Sequence, residues 1–568
     1  MLRHTGIVLC CLLLISCQSM SQSVSQTTQQ NDQWQQAGIA TAHPLATQAG
    51  YDVIQQGGNA FDAAVAVAAA LAVVEPYSSG IGGGGFFLLH RADDQFQTMI
   101  DARETAPLSA TTDMYLDAQG EVMKTSREGP LAAGIPGLPA GLVHIAEHYG
   151  QLPLATSLQP AIEYARQGFA VTEHYQKMTG WRLKLLQQDG EARQIFLAQG
   201  ELPDVGYLIK QPDLANTLQA LADQGHPGFY QGPVASQLVD GVRRAGGIWQ
   251  MKDLADYKVE ERTPVSGSYR GMQITSAAPP SAGGIGLMTA LNILSQYPLT
   301  EVDEVTSTHL TVEAMRRIYR DRAQYLGDPD FVDIPAHLTS PLYAMGLVAG
   351  IRGDQATVSA SLPGVSGQRK GQDTTHFSII DAAGNRVAAT LSINFPYGSG
   401  FVPPGTGVVL NNEMDDFSAK SGVPNGYGLV MGTAANAIEP GKRMLSSMTP
   451  TFLETSDRIA VIGTPGGSRI ITMVLLGALE FHKGTSAAGI VSLPRIHHQF
   501  LPDRIAYEPD ALTTTEIEAL SQLGHQLKAM NRRYGNMQVV IVNKQTGLMD
   551  AAADPRGEGT GKVWFSAP

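Results

Sequence analysis

Asp373-Thr374-Thr375-His376-Phe377-Ser378-Ile379-Ile380-Asp381 is the stretch that decides the fold. From Thr374 to Ile380 it alternates and is rich in β-formers, which predicts a strand. Asp381-Ala382-Ala383-Gly384-Asn385 is a turn cluster, and Arg386 to Asn394 predicts a second strand. A turn centred on Ala383 sets Thr374 opposite Ser392. Side chains repeat every two residues along a strand, so Asn394 is expected on the same face as Ser392. A bulge would shift the pairing by one residue. The hairpin thus gathers hydroxyl and amide groups around Thr374.

A threonine hydroxyl is a weak nucleophile until a base stands beside it. The nearest base available to Thr374 is its own α-amino group, freed when the Asp373–Thr374 bond is cut. The hydroxyl can make that cut itself, by attacking the carbonyl of Asp373 to give an ester that water opens. Two threonines before a histidine are at home as plain strand residues, and this triplet taken alone favours that reading. Upstream, Gln355 to Gly371 is small and polar, the composition a cleavable junction needs. His376 falls on the face of Thr374 two residues along and is read as packed and hydrogen-bonded rather than as the base.

Working outward, a helix is expected from Thr47 to Gln56, stopped by Gly57-Gly58-Asn59, with a second from Ala60 to Val74. The glycine-rich Ser79 to Gly85 lacks the Lys-Ser/Thr of a phosphate loop and precedes a strand, Phe86 to His90, so close backbone packing is the better reading. Residues of about 130 to 360 read as mostly helical. Within them Tyr269-Arg270-Gly271 opens a strand to Ser276, and a helix is expected from Leu287 to Ser295. Gly407 to Leu410 is an apolar strand that points the acidic run Asn411-Asn412-Glu413-Met414-Asp415-Asp416 at a strand end. Adjacent histidines, as at His497-His498, face different ways, and no cysteine or carboxylate set completes a metal site there.

The 568 residues carry a net charge of −13, which disfavours a nucleic-acid partner. Glycine is abundant, at 61 copies where an average composition would give roughly 40. With 43% hydrophobic residues spread along the chain, the excess points to tight turns rather than disorder. Arg3 and His4 before the apolar run Ile7 to Ile15 have the layout of a secretory signal. Leu14-Ile15-Ser16-Cys17 resembles a bacterial lipoprotein box, in which Cys17 takes the lipid. Cys10, Cys11 and Cys17 are the only cysteines, so no disulfide or zinc-thiolate site is expected after processing. Residues 18–37, rich in Gln, Ser and Thr, read as a flexible tether of roughly 25 Å average reach.

The opening string, together with Leu410-Asn411-Asn412-Glu413-Met414-Asp415-Asp416-Phe417-Ser418, Leu445-Ser446-Ser447-Met448 and Gly463-Thr464-Pro465-Gly466-Gly467-Ser468-Arg469, resembles the γ-glutamyltranspeptidase family of N-terminal-nucleophile hydrolases. The resemblance runs from about Gly38 to the C-terminus. It implies an α+β fold, the αββα four-layer sandwich, in one compact domain built from a large chain 38–373 and a small chain 374–568 that stay together as a heterodimer. The implied activity is self-cleavage, then γ-glutamyl transfer from glutathione or related donors to amino acids, peptides or water through an ester on Thr374. It needs no cofactor and no metal.

The same resemblance assigns the oxyanion donors to Gly466 and Gly467, although a simple tight turn would also explain that pair. It assigns the donor's carboxylate to Arg103, Ser446 and Ser447, and its α-amino group to Asn394, Glu413 and Asp416. Ser392 stands where threonine is common and keeps the hydroxyl that supports processing at Asp373. Ser421 to Gly428 matches the family's lid, with Tyr427 as its gate, and favours glutathione-type substrates. The expected place is the bacterial cell envelope on its periplasmic face, held to the membrane by a lipid anchor. The rival readings are a same-fold amide acylase for glutaryl or poly-γ-glutamyl substrates, and a non-catalytic envelope lipoprotein.

Overall fold

The computed structural model describes residues 33–362, 374–420, 422–423, 425–426, 428–429 and 434–565. The helix Ala60–Val74 is buried at every residue. Asn59 starts it: its side chain accepts from the backbone N–H of Phe61 and Asp62, while Asp62 accepts from the N–H of Asn59, a reciprocal cap. Glu75 ends it, because the residue before Pro76 is pushed out of the helical region. The preceding helix runs Pro44–Gln55, three residues earlier than Thr47 at its start. Pro44 is suited to a first helical turn, where its missing N–H has no partner to lose.

Two antiparallel sheets lie against each other. The first has seven strands in the order Thr560–Phe565, Gln36–Thr41, Thr375–Ile380, Arg386–Ser392, Gly84–Arg91, Phe96–Ala102 and Glu260–Arg262. The second has six: Met549–Ala553, Gln538–Asn543, Arg458–Gly463, Thr451–Glu454, Met272–Ser276 and Val265–Tyr269. One core joins an outer helical layer, including Ala60–Val74 and Leu138–His148, to Phe87, Ile100, Phe377, Ile379 and Leu391 on one face of the first sheet. The other core takes Phe86, Leu88 and Ala388 from the opposite face, adds Ile274, Phe452, Val461 and Val540 of the second sheet, and reaches the helices Gly283–Leu294, Glu304–Tyr325 and Ile470–His482. The result is the four-layer αββα sandwich.

Residues on both sides of position 373 contribute to each sheet. In the first, Thr375–Ile380 pairs with Gln36–Thr41 on one side, and Arg386–Ser392 pairs with Gly84–Arg91 on the other. In the second, Thr451–Glu454 pairs with Met272–Ser276.

Several expectations need correction. The tether does not run to residue 37. Trp34 is buried with its N–H bonded to Ala382, and Gln36–Thr41 is a strand paired on both edges. Gly407–Leu410 is not a strand; of these residues only Leu410 makes a bridge, to Gly82. The segment instead lies over the glycine loop, where a Cβ on Gly82 would stand 2.1 Å from the carbonyl oxygen of Val409. That is the close backbone packing expected of Ser79 to Gly85. The strand opened at Tyr269-Arg270-Gly271 is the second arm of a hairpin, with Arg270 (φ 48°) and Gly271 (φ 86°) as its turn. The helix expected from Leu287 to Ser295 begins earlier and runs Gly283–Leu294.

Candidate active site

Thr374 stands immediately before the strand Thr375–Ile380, and its side chain is almost wholly enclosed. The hairpin pairs Leu391 with Thr375, so the next residues outward are Thr374 and Ser392, the register the turn at Ala383 requires. Thr375 points away, donating to Glu75 Oε2 at 2.7 Å at the end of the central helix. Burial pushes the Glu75 carboxyl up to about 8. His376 is held by Thr390 Oγ1 at 2.8 Å and Ser378 Oγ at 3.2 Å, and burial pushes it down to about 3. It is a packed neutral imidazole, as its spacing suggested.

Asn394 departs from its expected place. The strand stops at Ser392, and Asn394 sits at φ 75°, a conformation asparagine tolerates better than most residues. Its N–H donates to Ser392 Oγ at 2.7 Å and its Nδ2 to the Asn412 carbonyl at 2.8 Å. The turn therefore ties the second strand to the acidic run.

That run is no solvated face. Asn411 anchors it, donating through Nδ2 to the carbonyls of Gly82 and Gly134 and accepting from the N–H of Gly134 and Glu413. Glu413–Asp416 then form one 3-10 turn with all four residues buried. Across from it, Arg103 follows the strand Phe96–Ala102. Its Nη1 lies 2.9 Å from Glu413 Oε2, its Nη2 donates to Asp416 Oδ2 at 2.6 Å, and its Nε donates to the Met444 carbonyl at 3.3 Å. Burial raises Glu413 to about 7 against the pull of Arg103, and burial with the Glu413 charge raises Glu104 well above the carboxylate range. Burial works against the Arg103 charge, but Glu413, Asp416 and Glu104 more than offset it and hold the guanidinium protonated.

One cavity brings together Thr374, Ser392, Asn394, Arg103, Glu413, Asp416, Ser446, Ser447 and Gly467. Arg322, on the helix Glu304–Tyr325, lines it too and was not anticipated. Its Nε donates to Ser447 Oγ at 3.2 Å. Burial lowers it to about 10, still protonated at neutral pH. Arg322 is one of four arginines, with Arg316, Arg317 and Arg320, in one stretch of this helix, and only its burial at the cavity marks it as part of the site.

Gly466 and Gly467 follow the strand Arg458–Gly463 and lead into the helix Ile470–His482. Gly466 has φ 145° and Gly467 φ 55°, and a Cβ on Gly466 would stand 2.5 Å from Met473 Cε. Gly467 lines the cavity just described, while Gly466 lines a second one that also opens on Thr374. The two adjacent glycines thus line the two cavities that open on Thr374. Asp373, Tyr427 and Cys17 lie outside the described residues.

His497 bonds to Thr472 and Gln499, and His498 to Asp503. Among the described residues, His309, Glu313 and His525 bring ligand atoms within 4.8 Å of one another. They are already engaged: His309 Nδ1 and His525 Nε2 share a hydrogen bond of 2.8 Å, and Glu313 pairs with Arg316 at 3.3 Å and Arg317 at 2.6 Å. Two guanidiniums against the only carboxylate oppose a cation, so this cluster fits a hydrogen-bonded clamp better than a metal centre.

The sequence profile of the family described as gamma-glutamyltranspeptidase matches residues 46–564. The chain is 43% identical over 496 residues to a glutathione hydrolase proenzyme of Pseudomonas sp. (strain A14), with 86% of each chain covered. It is 40% identical over 535 residues to the glutathione hydrolase proenzyme of Escherichia coli (strain K12), covering 92% of this chain and 90% of that protein. Among solved structures, cephalosporin acylase from Bacillus halodurans superposes with a TM-score of 0.83 at 28% identity, over 94% of this chain and 96% of its own. The Helicobacter pylori gamma-glutamyltranspeptidase matches with a TM-score of 0.56 at 39% identity, over 57% of this chain and 94% of that chain.

Proposed function

The chain belongs to the γ-glutamyltranspeptidase family, and from that premise we propose that Thr374 is the nucleophile of a self-cleaving γ-glutamyltransferase and glutathione hydrolase. Thr374 Oγ attacks the carbonyl carbon of Asp373, the amide nitrogen leaves as the new α-amine of Thr374, and water hydrolyses the ester. The two products are residues up to 373 and residues 374–568. In turnover, Thr374 Oγ bonds to the γ-carbonyl carbon of the donor. The C–N bond to the leaving amine breaks, and the Thr374 amine passes the hydroxyl proton to that nitrogen. Water or an acceptor amine then takes the γ-glutamyl group from the ester. Gly466 and Gly467 hold the oxyanion, and Ser392 supports the first cut.

The observation that carries this reading is the pairing of Arg103 with Glu413 and Asp416 in the cavity on which Thr374 opens. A γ-glutamyl donor bears a carboxylate and an ammonium on one carbon. Arg103 with Ser446 and Ser447 suits the first, and Glu413, Asp416 and Asn394 suit the second. An acylase acting on des-amino donors needs no buried carboxylate pair at that place. The test is a donor panel with mature protein: γ-glutamyl anilides are turned over and glutaryl anilides are not. Equal turnover of the two would refute the assignment of the carboxylates.

We also place the enzyme at the periplasmic face of the cell envelope, held by a lipid on Cys17, with Tyr427 gating the donor cavity. The support is the signal-like run before Cys17 and the match of Ser421 to Gly428 to the family's lid. Among the described residues no helix is long and apolar enough to cross a membrane. Cys17→Ala should release the activity from the membrane fraction; activity that stays bound would refute the anchor.

A further inference from the structure

His497 and His498 turn to different partners, and Gln499 follows them with every hydrogen-bonding position of its amide filled. Its Nε2 faces two carbonyls, Gly428 at 3.1 Å and Leu501 at 3.3 Å. A carbonyl only accepts, so the nitrogen must lie on that side and the amide oxygen on the other. There Oε1 accepts from Ser468 Oγ at 2.9 Å and lies 2.8 Å from His497 Nε2, which must carry a proton to meet it. The orientation of the amide is thereby fixed. His497 Nδ1 in turn lies 2.9 Å from Thr472 Oγ1, in the first turn of the helix Ile470–His482.

The residues that Gln499 reaches belong to two walls of the donor cavity that are remote in sequence. Ser468 lines that cavity directly after Gly467. Its carbonyl is held as well, accepting from the Tyr319 hydroxyl of the helix Glu304–Tyr325. Gly428 (φ 75°) directly precedes Leu429, which also lines the cavity and is buried. The N–H of Leu429 donates to Asn425 Oδ1 at 3.1 Å, and Asn425 Nδ2 donates to Asp416 Oδ1 at 3.3 Å. This wall therefore meets the carboxylates of the donor site. Gln499 stands behind both walls rather than in either. One side chain thus ties Gly428–Leu429 to Gly467–Ser468.

We propose that Gln499 is a positioning residue for the reaction at Thr374, a strut that sets the spacing of the two walls. Its Oε1 arm holds Ser468, and through it the Gly466–Gly467 turn, in place before charge develops on the substrate oxygen. A preorganised oxyanion site needs that support. Its Nε2 arm holds Gly428, and with it the Leu429 side of the donor cavity. Loss of the first arm lowers kcat; loss of the second raises KM. The inference rests on the reading of Thr374 as nucleophile and of Gly466 and Gly467 as oxyanion donors.

The experiment measures kcat and KM for γ-glutamyl-p-nitroanilide in mature wild type, Gln499→Leu, Gln499→Glu, Ser468→Ala and the double variant Ser468→Ala/Gln499→Leu. A denaturing gel confirms maturation of each. Gln499→Leu removes both arms and should lower kcat and raise KM, each by about three- to tenfold, the size of one neutral hydrogen bond. Gln499→Glu keeps an accepting oxygen for Ser468 and sets a second oxygen against the Gly428 carbonyl, so kcat should recover while KM stays high. Ser468→Ala should lower kcat alone. The double variant should lose no more kcat than Gln499→Leu, since both changes cut the same arm. A role in stability alone would lower the melting temperature and leave both constants of the folded enzyme at wild-type values. That result, or kcat losses that multiply in the double variant, overturns the strut. Should Gln499→Leu fail to mature, the other two single variants decide: Gln499→Glu must raise KM and Ser468→Ala must lower kcat. Gly466→Ala separates the premise from the inference. If it leaves kcat unchanged, the oxyanion reading falls and the Oε1 arm with it. If it lowers kcat while Gln499→Leu and Ser468→Ala do not, only the strut falls.

Discussion

Arg103 Nη2 and Asp416 Oδ2 lie 2.6 Å apart, joining residues on opposite sides of the cleavage point inside the donor cavity. The group assigned to the donor's carboxylate and a group assigned to its ammonium neutralise each other. An α-amino acid carries the same two charges, so under the proposed assignment binding would be an exchange of ion pairs. Its carboxylate takes the place of Asp416 on Arg103, and its ammonium takes the place of Arg103 on Asp416 and Glu413. The exchange avoids stripping either buried charge of its counter-ion, the step that makes buried ions costly.

Asp416→Ala should lower kcat/KM for γ-glutamyl anilides by about thirtyfold or more, in line with the roughly 2–5 kcal/mol lost on truncating one member of a buried charge pair. Self-cleavage should continue. Steady-state kinetics beside a denaturing gel check both; a variant with donor kinetics like wild type would remove Asp416 from the donor site.

Thr374→Ala should yield a single uncut chain without turnover, and Thr374→Ser should cut slowly and keep some activity. Mass spectrometry of the purified proteins reads the outcome. A small chain starting at residue 374 in the alanine variant would show that another group makes the cut.

Glu413 gives a pH signature. Burial raises its pKa from 4.5 to about 7, so the folded protein holds this proton more tightly than the unfolded chain does. Its contribution to stability is present below about 4.5 and is lost as pH rises through about 7. Donor recognition runs the other way, since the carboxylate holds an ammonium more strongly than the neutral acid does. The ratio of kcat/KM for γ-glutamyl over glutaryl donors should therefore rise with pH through about 7, and Glu413→Gln should flatten it. A ratio independent of pH in wild type would separate Glu413 from the amino group.

Gly466→Ala should fold with a modest loss of stability, on the order of 1 kcal/mol, because φ 145° and Met473 both resist a Cβ. If its N–H helps hold the oxyanion, kcat should fall by about 10²–10³-fold with little change in KM. A KM effect alone would make the glycine pair a simple turn.

Arg322→Lys retains the charge but not the fixed Nε that donates to Ser447. KM for the donor should rise several-fold while kcat holds, and Arg322→Ala should raise KM further. Unchanged KM in both variants would leave Arg322 a purely structural residue.

The hairpin at Thr374 was legible because its turn chemistry and register are local, and the helix Ala60–Val74 because Asn59 and Pro76 mark both ends. What escaped depends on distant chain. Gly407–Leu410 has the composition of a strand, but the glycine loop beneath it leaves room for a single bridge at Leu410. Asn394 seemed to continue an alternating strand, yet its bonds to Ser392 and Asn412 hold it in a left-handed turn. Trp34 and Gln36 sit in polar surroundings in the sequence and are fixed by Ala382 and by strands more than three hundred residues away. Arg322 could not be told from the other arginines of its helix, because which of them the rest of the fold turns toward the cavity is not written in the helix.

Both sheets draw strands from either side of the cut. Neither product alone retains a complete sheet, and each would expose the strand edges the other now covers. The precursor assembles as one molecule at a rate independent of its concentration. Once severed and then unfolded, the halves must find each other by diffusion. Renaturation of the mature enzyme should therefore depend on dilution, while that of an uncleavable variant should not. Cutting one bond thus turns a unimolecular folding problem into a bimolecular one.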